Sequence, residues 1–300
     1  MNEKYDEQQF LNNYDITQYE RPSVAADMAI YTIAQESSSE NFRKLPKQTL
    51  RILLVKRADY PFKDCWALPG GFCKPEEDVI ETAFRELYEE SHVKSAYLKP
   101  VGIFGEQGRD PRGWIISSTF MALVDATTTE LKPGSDTREA KWFSIDLNIS
   151  EPKKVLKKED AKIQTIYEMT LTDDETGEKL KATVKEHKQF KNYHESISYE
   201  IVKSDMLAFD HAKIILYTTL YLRQSVENDL KLGFDLMPEY FTLTELQTAF
   251  ELILGKELIT PNFRRKIGDY VIETDKMLEG AGHRPAKLFK RNVETFYKNY

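Results

Sequence analysis

Three carboxylates in the stretch FRELYEES, those of Glu86, Glu89 and Glu90, stand at i, i+3 and i+4. At about 100° per residue they share an arc of roughly 100° on a helix. Like charges this close repel unless cations offset them, and Arg85 and the nearby lysines supply only part of that offset. Hard oxygen donors on one surface suit Mg²⁺ or Mn²⁺, which keep coordination sites for water and phosphate. Such an ion neutralises a diphosphate and activates a water for attack on it. The same periodicity also belongs to an ordinary solvated helix face, so spacing alone leaves both readings open. Ile80, Ala83, Phe84 and Leu87 form a separate apolar sector, expected to face a core.

Two other groups of residues invite chemistry. Arg109 and Arg112, in GRDPRGW, suit phosphate because a guanidinium meets phosphate oxygens with two parallel hydrogen bonds. An arginine-aspartate turn that only fixes its own loop fits the same letters. Further on, residues 261–300 hold nine Lys plus Arg against five Asp plus Glu, inside a chain of net charge −7. That local excess favours a polyanion partner, although the whole chain is not coated for one. Arg264, Arg265 and Lys266 are expected to point outward from a helix whose inner face carries Phe263, Ile267 and Val271. In the GAGHRPAK turn, His283, Arg284 and Lys287 are placed to touch a nucleic-acid backbone beside that helix.

The elements that must position these residues are readable in outline. A chain of 300 residues suits about two domains. Strands are predicted over Asp27–Ala34 and Leu50–Ala58, then near Tyr97–Phe104, Trp114–Val124 and Ala140–Ile145. A loop with Pro61, Pro69, Gly70 and Gly71 leads into the acidic helix, roughly Glu77–Ser91. Residues 151–204 balance eleven Lys plus Arg against eleven Asp plus Glu, and TIYEMTLT and KLKATVKE flank DDETGE as a hairpin. This reads as an inserted polar β-hairpin or meander with a solvated surface. His211–Arg223 is an apolar helix, expected to pack on the first domain or in a subunit interface. Thr244 and Gln247 suggest a capping box for the next helix, Gly255 its end, and Thr260 with Pro261 the start of another. With a VIETD…AKLF strand pair, the C-terminal unit is predicted to be a winged helix-turn-helix. The expected division is therefore 1–150, 151–204, 205–235 and 236–300.

With 41% hydrophobic and 30% charged residues, and no apolar run near the roughly 20 residues a membrane span needs, a cytoplasmic protein is expected. The N-terminal MNEKYDEQQF lacks the pattern of a signal peptide. Cys65 and Cys73 are expected to be small packing thiols.

The longer stretch GGFCKPEEDVIETAFRELYEESHV resembles the Nudix box, matching it at Gly71, Glu77, Arg85, Glu86, Leu87, Glu89, Glu90 and Val93. It departs at His92, where the family has the glycine that follows the helix. The resemblance implies an α/β class fold, an α/β/α sandwich with a mixed sheet, and substrates built on a nucleoside diphosphate. It also implies that Glu86, Glu89 and Glu90 ligate metal while Arg85 and Glu77 brace loop and helix. The general base often lies outside the box, and Glu106 and Glu139 are the candidates.

YERPSVAADMAIYTI, WALPGGF, GRDPRGW, LAFDHAKII and FTLTELQ…NFRRKIGDYV…GHRPAKLF are similar to one branch, the Nudix-related transcriptional regulators of NAD metabolism. This likeness spans nearly everything except about 148–205. It implies ADP-ribose or a related nucleotide as ligand, double-stranded DNA as partner, and a homodimer. The alternative it leaves is a Mg²⁺-dependent ADP-ribose pyrophosphatase.

Overall fold

In the computed structural model the described residues are 7–35, 48–91, 97–125, 129, 131, 137–157, 160–278 and 285–297. Strand β1 (Ser23–Gln35) follows a short helix, α1 (Glu7–Asn13), and sets the plan of the molecule. Its alternate residues divide between two cores: Ala26, Met28 and Ile30 face one, Ala29, Tyr31 and Ile33 the other. A strand covered on both faces reads as an unbroken apolar run, which is why AADMAIYTI lacks polar alternation.

The remaining strands of this sheet are β2 (Gln48–Arg57), β3 (Trp66–Ala67), β4 (Gly70–Phe72), β5 (Tyr97–Phe104), β6 (Ile115–Leu123), β7 (Thr137–Ile149), β8 (Lys153–Lys157), β9 (Asp160–Asp173), β10 (Lys179–Lys191) and β11 (His194–Ser204). Their order is β11-β10-β9-β7-β2-β1-β6-β5, with β3 on β2, β4 on β1 and β8 on β9. β1 and β6 run parallel and β1 and β2 antiparallel, so the sheet is mixed.

Helix α2 (Val79–Ser91) covers one face, where Ala83 and Leu87 meet Met28, Leu53 and Phe120. Helix α3 (His211–Asn228) lies on the other. This is the α/β/α sandwich that was expected. α2 begins two residues later than predicted because Asp78 caps it, accepting from Ile80 N and Glu81 N, both at 2.8 Å. Its inner face also differs from the predicted sector. Thr82, Ala83, Glu86, Leu87, Glu90 and Ser91 are buried, whereas Ile80 and Phe84 are about half exposed. The carboxylates turn inward because a cavity opens over this end of the sheet.

The segment expected to be a solvated meander is a continuation of the sheet. β9 pairs with β7 from Phe143↔Asp173 to Ile149↔Tyr167. Tyr167, Met169, Leu171, Leu180, Ala182 and Val184 are buried on the α3 side. Period-two alternation, hidden among the charges, puts every second residue on one face.

The C-terminal unit contains α4 (Leu243–Leu254), α5 (Thr260–Ile267) and a two-stranded wing, β12 (Val271–Leu278) with β13 (Ala286–Arg291), followed by α6 (Val293–Tyr297). The capping box of α4 is Thr242 with Glu245, rather than the pair Thr244 and Gln247. Gln247 instead donates to Glu251 and to Leu258 O, both at 2.9 Å. Gly255 closes α4 in the left-handed conformation, φ 65°. α5 starts at Thr260 itself, with Ile259 in the cap position and proline in the first turn. Phe263 and Ile267 are its buried residues, and Val271 has already entered the wing. One apolar cluster runs without interruption from Tyr31 and Leu171 in the sheet, through Ile215 and Leu222 of α3, to Phe250, Phe263 and Ile267.

Candidate functional site

Above the end of the sheet covered by α2 lies a cavity of about 770 Å³, within the range of small-molecule sites. It draws residues from β1, β2, β4, α2, the loop before β6 and the start of α3. Gly71, Arg85, Glu86, Glu89, Glu90, Arg109 and Arg112 all line it. These seven predicted residues, scattered over more than forty positions, are thereby brought together.

On the α2 wall, Arg85 grips Glu77 with two bonds, Nε to Oε1 at 2.7 Å and Nη2 to Oε2 at 3.0 Å. Its Nη1 reaches Glu86 at 2.5 Å and Glu89 at 3.6 Å, and Nη2 also donates to Phe72 O at 3.3 Å. One guanidinium therefore fastens the loop before α2 to the helix. Gly71 packs directly on the Glu86 carboxylate, so any Cβ there would collide with it. That close approach is the physical reason for glycine at this position.

Burial pushes the Glu86 carboxyl above its ordinary range, a shift that Arg85 only partly opposes. Glu90 is buried too, while the Glu89 side chain is half exposed. The donors are thus hard oxygens, one of them held where its charge is costly, and a cation already bridges two of them in the form of Arg85. In their chemistry these residues suit a divalent ion. Among the described residues, however, no three such side chains are already gathered around a common point. An ion at Glu86 would have to share that carboxylate with Arg85.

The opposite wall is built around Arg109. Its side chain is 6% exposed and pairs with Asp210 through two bonds, 3.1 and 2.7 Å, with Asp27 at 3.6 Å. Asp27 in turn accepts from the hydroxyl of Ser117. Burial would raise the Asp210 carboxyl, but the Arg109 bonds and charge pull it below the ordinary value. Next to it His211 is buried, its pKa lowered by burial, and Nδ1 accepts from Leu68 N at 2.8 Å. Arg112 is different: it closes on Asp110 at 2.7 Å yet keeps a side chain that is 41% exposed, stacked between Phe72 and Phe209 at 5.0 and 5.3 Å. The GRDPRGW loop is therefore an arginine-aspartate structure, and of its two guanidinia Arg112 is the open one.

Phe209 reaches its place with φ 52°, a region that non-glycine residues rarely occupy. The chain before it is zipped to β3, through Trp66 N to Met206 O and Ala208 N to Trp66 O, each 2.8 Å, which holds the strained residue.

On the winged unit, Arg264, Arg265 and Lys266 of α5 are all exposed. Lys287 is also exposed, but it is ion-paired with Glu273 across the wing. His92 and Arg284 lie outside the described residues.

Residues 45–165 match the NUDIX domain, and residues 233–290 match the NrtR DNA-binding winged helix domain. The chain carries a Nudix domain and, after it, a winged helix of the NrtR kind. Its relatives match either nearly the whole chain or the front domain alone. The ADPR responsive transcriptional repressor NtrR of Acinetobacter baylyi is 29% identical over 98% of this chain and 92% of its own length. An ADP-ribose pyrophosphatase of Methanocaldococcus jannaschii is 44% identical over 32% of this chain, and the match spans 56% of that enzyme. In structure, Shewanella oneidensis NrtR superposes with a TM-score of 0.56 at 24% identity, covering 91% of this chain and 96% of the other, which shows the shared fold.

The two candidates for general base, Glu106 and Glu139, stand apart from the cavity lining. Glu106 is bound by Lys213 at 2.8 Å, and Glu139 by Lys56 at 3.1 Å and Lys141 at 3.6 Å. Asp27, Ser117, Phe209, Asp210 and His211 line the cavity or pair within it and were not singled out from the sequence. The signal for three of them was the string LAFDHAKII, where an aspartate and a histidine open an otherwise apolar helix.

The Nudix brace has a pH signature. The Arg85 hydrogen bonds, foremost, hold the Glu77 carboxyl down to about 2, against an ordinary 4.5. Because the folded value is the lower one, the stabilisation from this pair is complete above about pH 4.5 and disappears as pH falls toward 2. Carbon-13 NMR of the Glu77 carboxyl should show no titration down to pH 3.5. In Arg85→Gln the same resonance should titrate near the ordinary value, and an unmoved midpoint would refute the brace.

Proposed function

We propose that this chain is a nucleotide-sensing transcriptional regulator. Its cavity binds ADP-ribose or a related nucleotide, and its winged helix binds double-stranded DNA as a homodimer in the cytoplasm. Glu86, Glu89 and Glu90 would hold Mg²⁺ or Mn²⁺, which when bound neutralises phosphate charge. Arg112 faces the same space with an exposed guanidinium suited to phosphate. α5 offers Arg264 and Arg265 to base edges or phosphates in a major groove, with Lys266 beside them and Lys287 and Arg284 near the backbone.

The observation that carries this reading is the shared apolar core. The cavity and the basic helix belong to one packed body, so a ligand in the first can alter the second. A ligand shifts DNA affinity only by the difference between its affinities for the DNA-bound and released arrangements. The relatives named above include a repressor described as responsive to ADPR, which supports the same reading.

A Mg²⁺-dependent hydrolase acting on ADP-ribose is the second reading, favoured by the intact glutamates and by the pyrophosphatase relative. Against it stand the lysine-bound positions of Glu106 and Glu139. One preparation tests both. A fluorescent duplex bearing an inverted repeat from upstream of a co-regulated gene should bind with a salt-dependent affinity that falls about tenfold on adding ADP-ribose. ADP-ribose recovered with Mg²⁺ present should be intact. AMP and ribose 5-phosphate formed by this chain and lost in Glu90→Gln would establish the hydrolase. No preference for any upstream duplex over random DNA at physiological salt would remove the regulator.

A further inference from the structure

Helix α3 touches both functional regions. Its eighteen residues span about 27 Å at 1.5 Å per residue. At the cavity end, Asp210 holds Arg109, and His211 holds the backbone of Leu68. At the middle, the hydroxyl of Tyr31 meets Thr218 at 2.7 Å and Thr219 at 3.0 Å, while Tyr217 donates to Val101 O at 3.0 Å. At the far end, Arg223 Nε donates to Ile253 O at 3.2 Å, and its guanidinium lies so close to Gly255 that a Cβ there would come within 2.7 Å of it. Arg223 therefore grips the closing turn of α4, the helix that carries α5.

The extra strands bear on the same helix. The hydroxyls of Tyr167 and Tyr199 both donate to Glu186, which is 3% exposed, at 3.3 and 3.1 Å. The Tyr199 ring stands edge-on to Tyr217 of α3, centroids 6.1 Å apart at 87°. β9, β10 and β11 thus form a stiff flank along α3, a role in which residues 151–204 have a use.

Resting on the regulator reading above, we infer that α3 is the strut that couples nucleotide to DNA, and that the switch is a competition for Arg109. In the present arrangement Asp210 occupies that guanidinium. The diphosphate of a nucleotide entering the cavity is a second anion of the right shape, and it takes Arg109 at the expense of Asp210. The tie from Asp210 to the cavity wall is then lost while His211 still holds Leu68, and the packed helix shifts as a body against the flank of β10 and β11. Arg223 passes that displacement to α4 and so to α5. Arg223 is a positioning residue, since it touches neither the cavity lining nor the exposed face of α5.

Two variants test this with the full-length protein, ADP-ribose, Mg²⁺ and the duplex used above. Asp210→Asn removes the competing anion and should behave as though nucleotide were already present. Its DNA affinity without ADP-ribose should fall toward the ligand-bound level, and further ADP-ribose should change it less than twofold. Arg223→Met keeps length and packing but removes the grip on Ile253. It should bind ADP-ribose within twofold of the parent and bind DNA within threefold in its absence, yet lose most of the tenfold response. Thermal melts confirm that each variant is folded, and Arg223→Met decides the matter if Asp210→Asn is not. A parent protein that shows no response to ADP-ribose would defeat the functional reading. A responsive parent with an equally responsive Arg223→Met would overturn the strut alone.

Discussion

Arg109→Ala should unfold at a markedly lower urea concentration than the parent, with a loss of about 3–5 kcal/mol. That is the usual cost of removing one partner from a buried ion pair and leaving the other uncompensated. The group left short of charge here is Asp210, whose side chain is 9% exposed and which would keep only Lys213, at 3.4 Å, with Asp27 close behind it. Without the two Arg109 bonds, burial would also raise the Asp210 carboxyl, so the variant should recover part of the deficit as pH falls. Arg109→Lys should retain a fraction of the stability, because one ammonium replaces charge but not the two-bond geometry. Circular dichroism at each pH measures both effects. A change below 1 kcal/mol would show that Arg109 is not the keystone of this wall.

The second large effect is expected at α5. In Arg264→Ala combined with Arg265→Ala, specific DNA affinity should fall by about 2–6 kcal/mol, taking roughly 1–3 for each side chain that reads a base edge. If either engages phosphate alone, the slope of affinity against salt should become shallower by about one for each phosphate no longer neutralised. Lys287→Ala serves as contrast: its ammonium is already engaged with Glu273, so its removal should cost far less. Anisotropy titrations at several salt concentrations separate these cases. Retention of affinity within twofold in the double variant would move the DNA surface away from α5.

What was readable in the sequence was what repeats at short range. The glutamates of α2, the brace from Glu77 to Arg85 and the outward cations of α5 lie within single elements or one loop away. Helical periodicity and the box pattern reach that far. The Arg109–Asp210 pair is separated by 101 positions and the His211–Leu68 bond by 143, and no local pattern joins them. Orientation of α2 was also beyond periodicity, because its apolar sector and its carboxylates occupy neighbouring arcs of the helix and the buried face straddles the two. The sheet took the edge of that sector with Ala83 and Leu87, and the edge with Ile80 and Phe84 was left outward. For α4, two nearby threonines each began a plausible capping box, and the one that placed Leu246, Ala249 and Phe250 inward prevailed. The strands of 151–204 were recognisable, but their join to β7 was hidden by an even balance of charges.

The continuity of the apolar cluster has a bearing on modular engineering. Cutting the chain after Asn228 would bare Phe234, Phe241 and Phe250, whose neighbours include Leu222 and Val226 on the side that was removed. The winged-helix unit is consequently no detachable cartridge. Transplanting it onto another domain means carrying α3 along, together with whatever surface that helix needs to lie against.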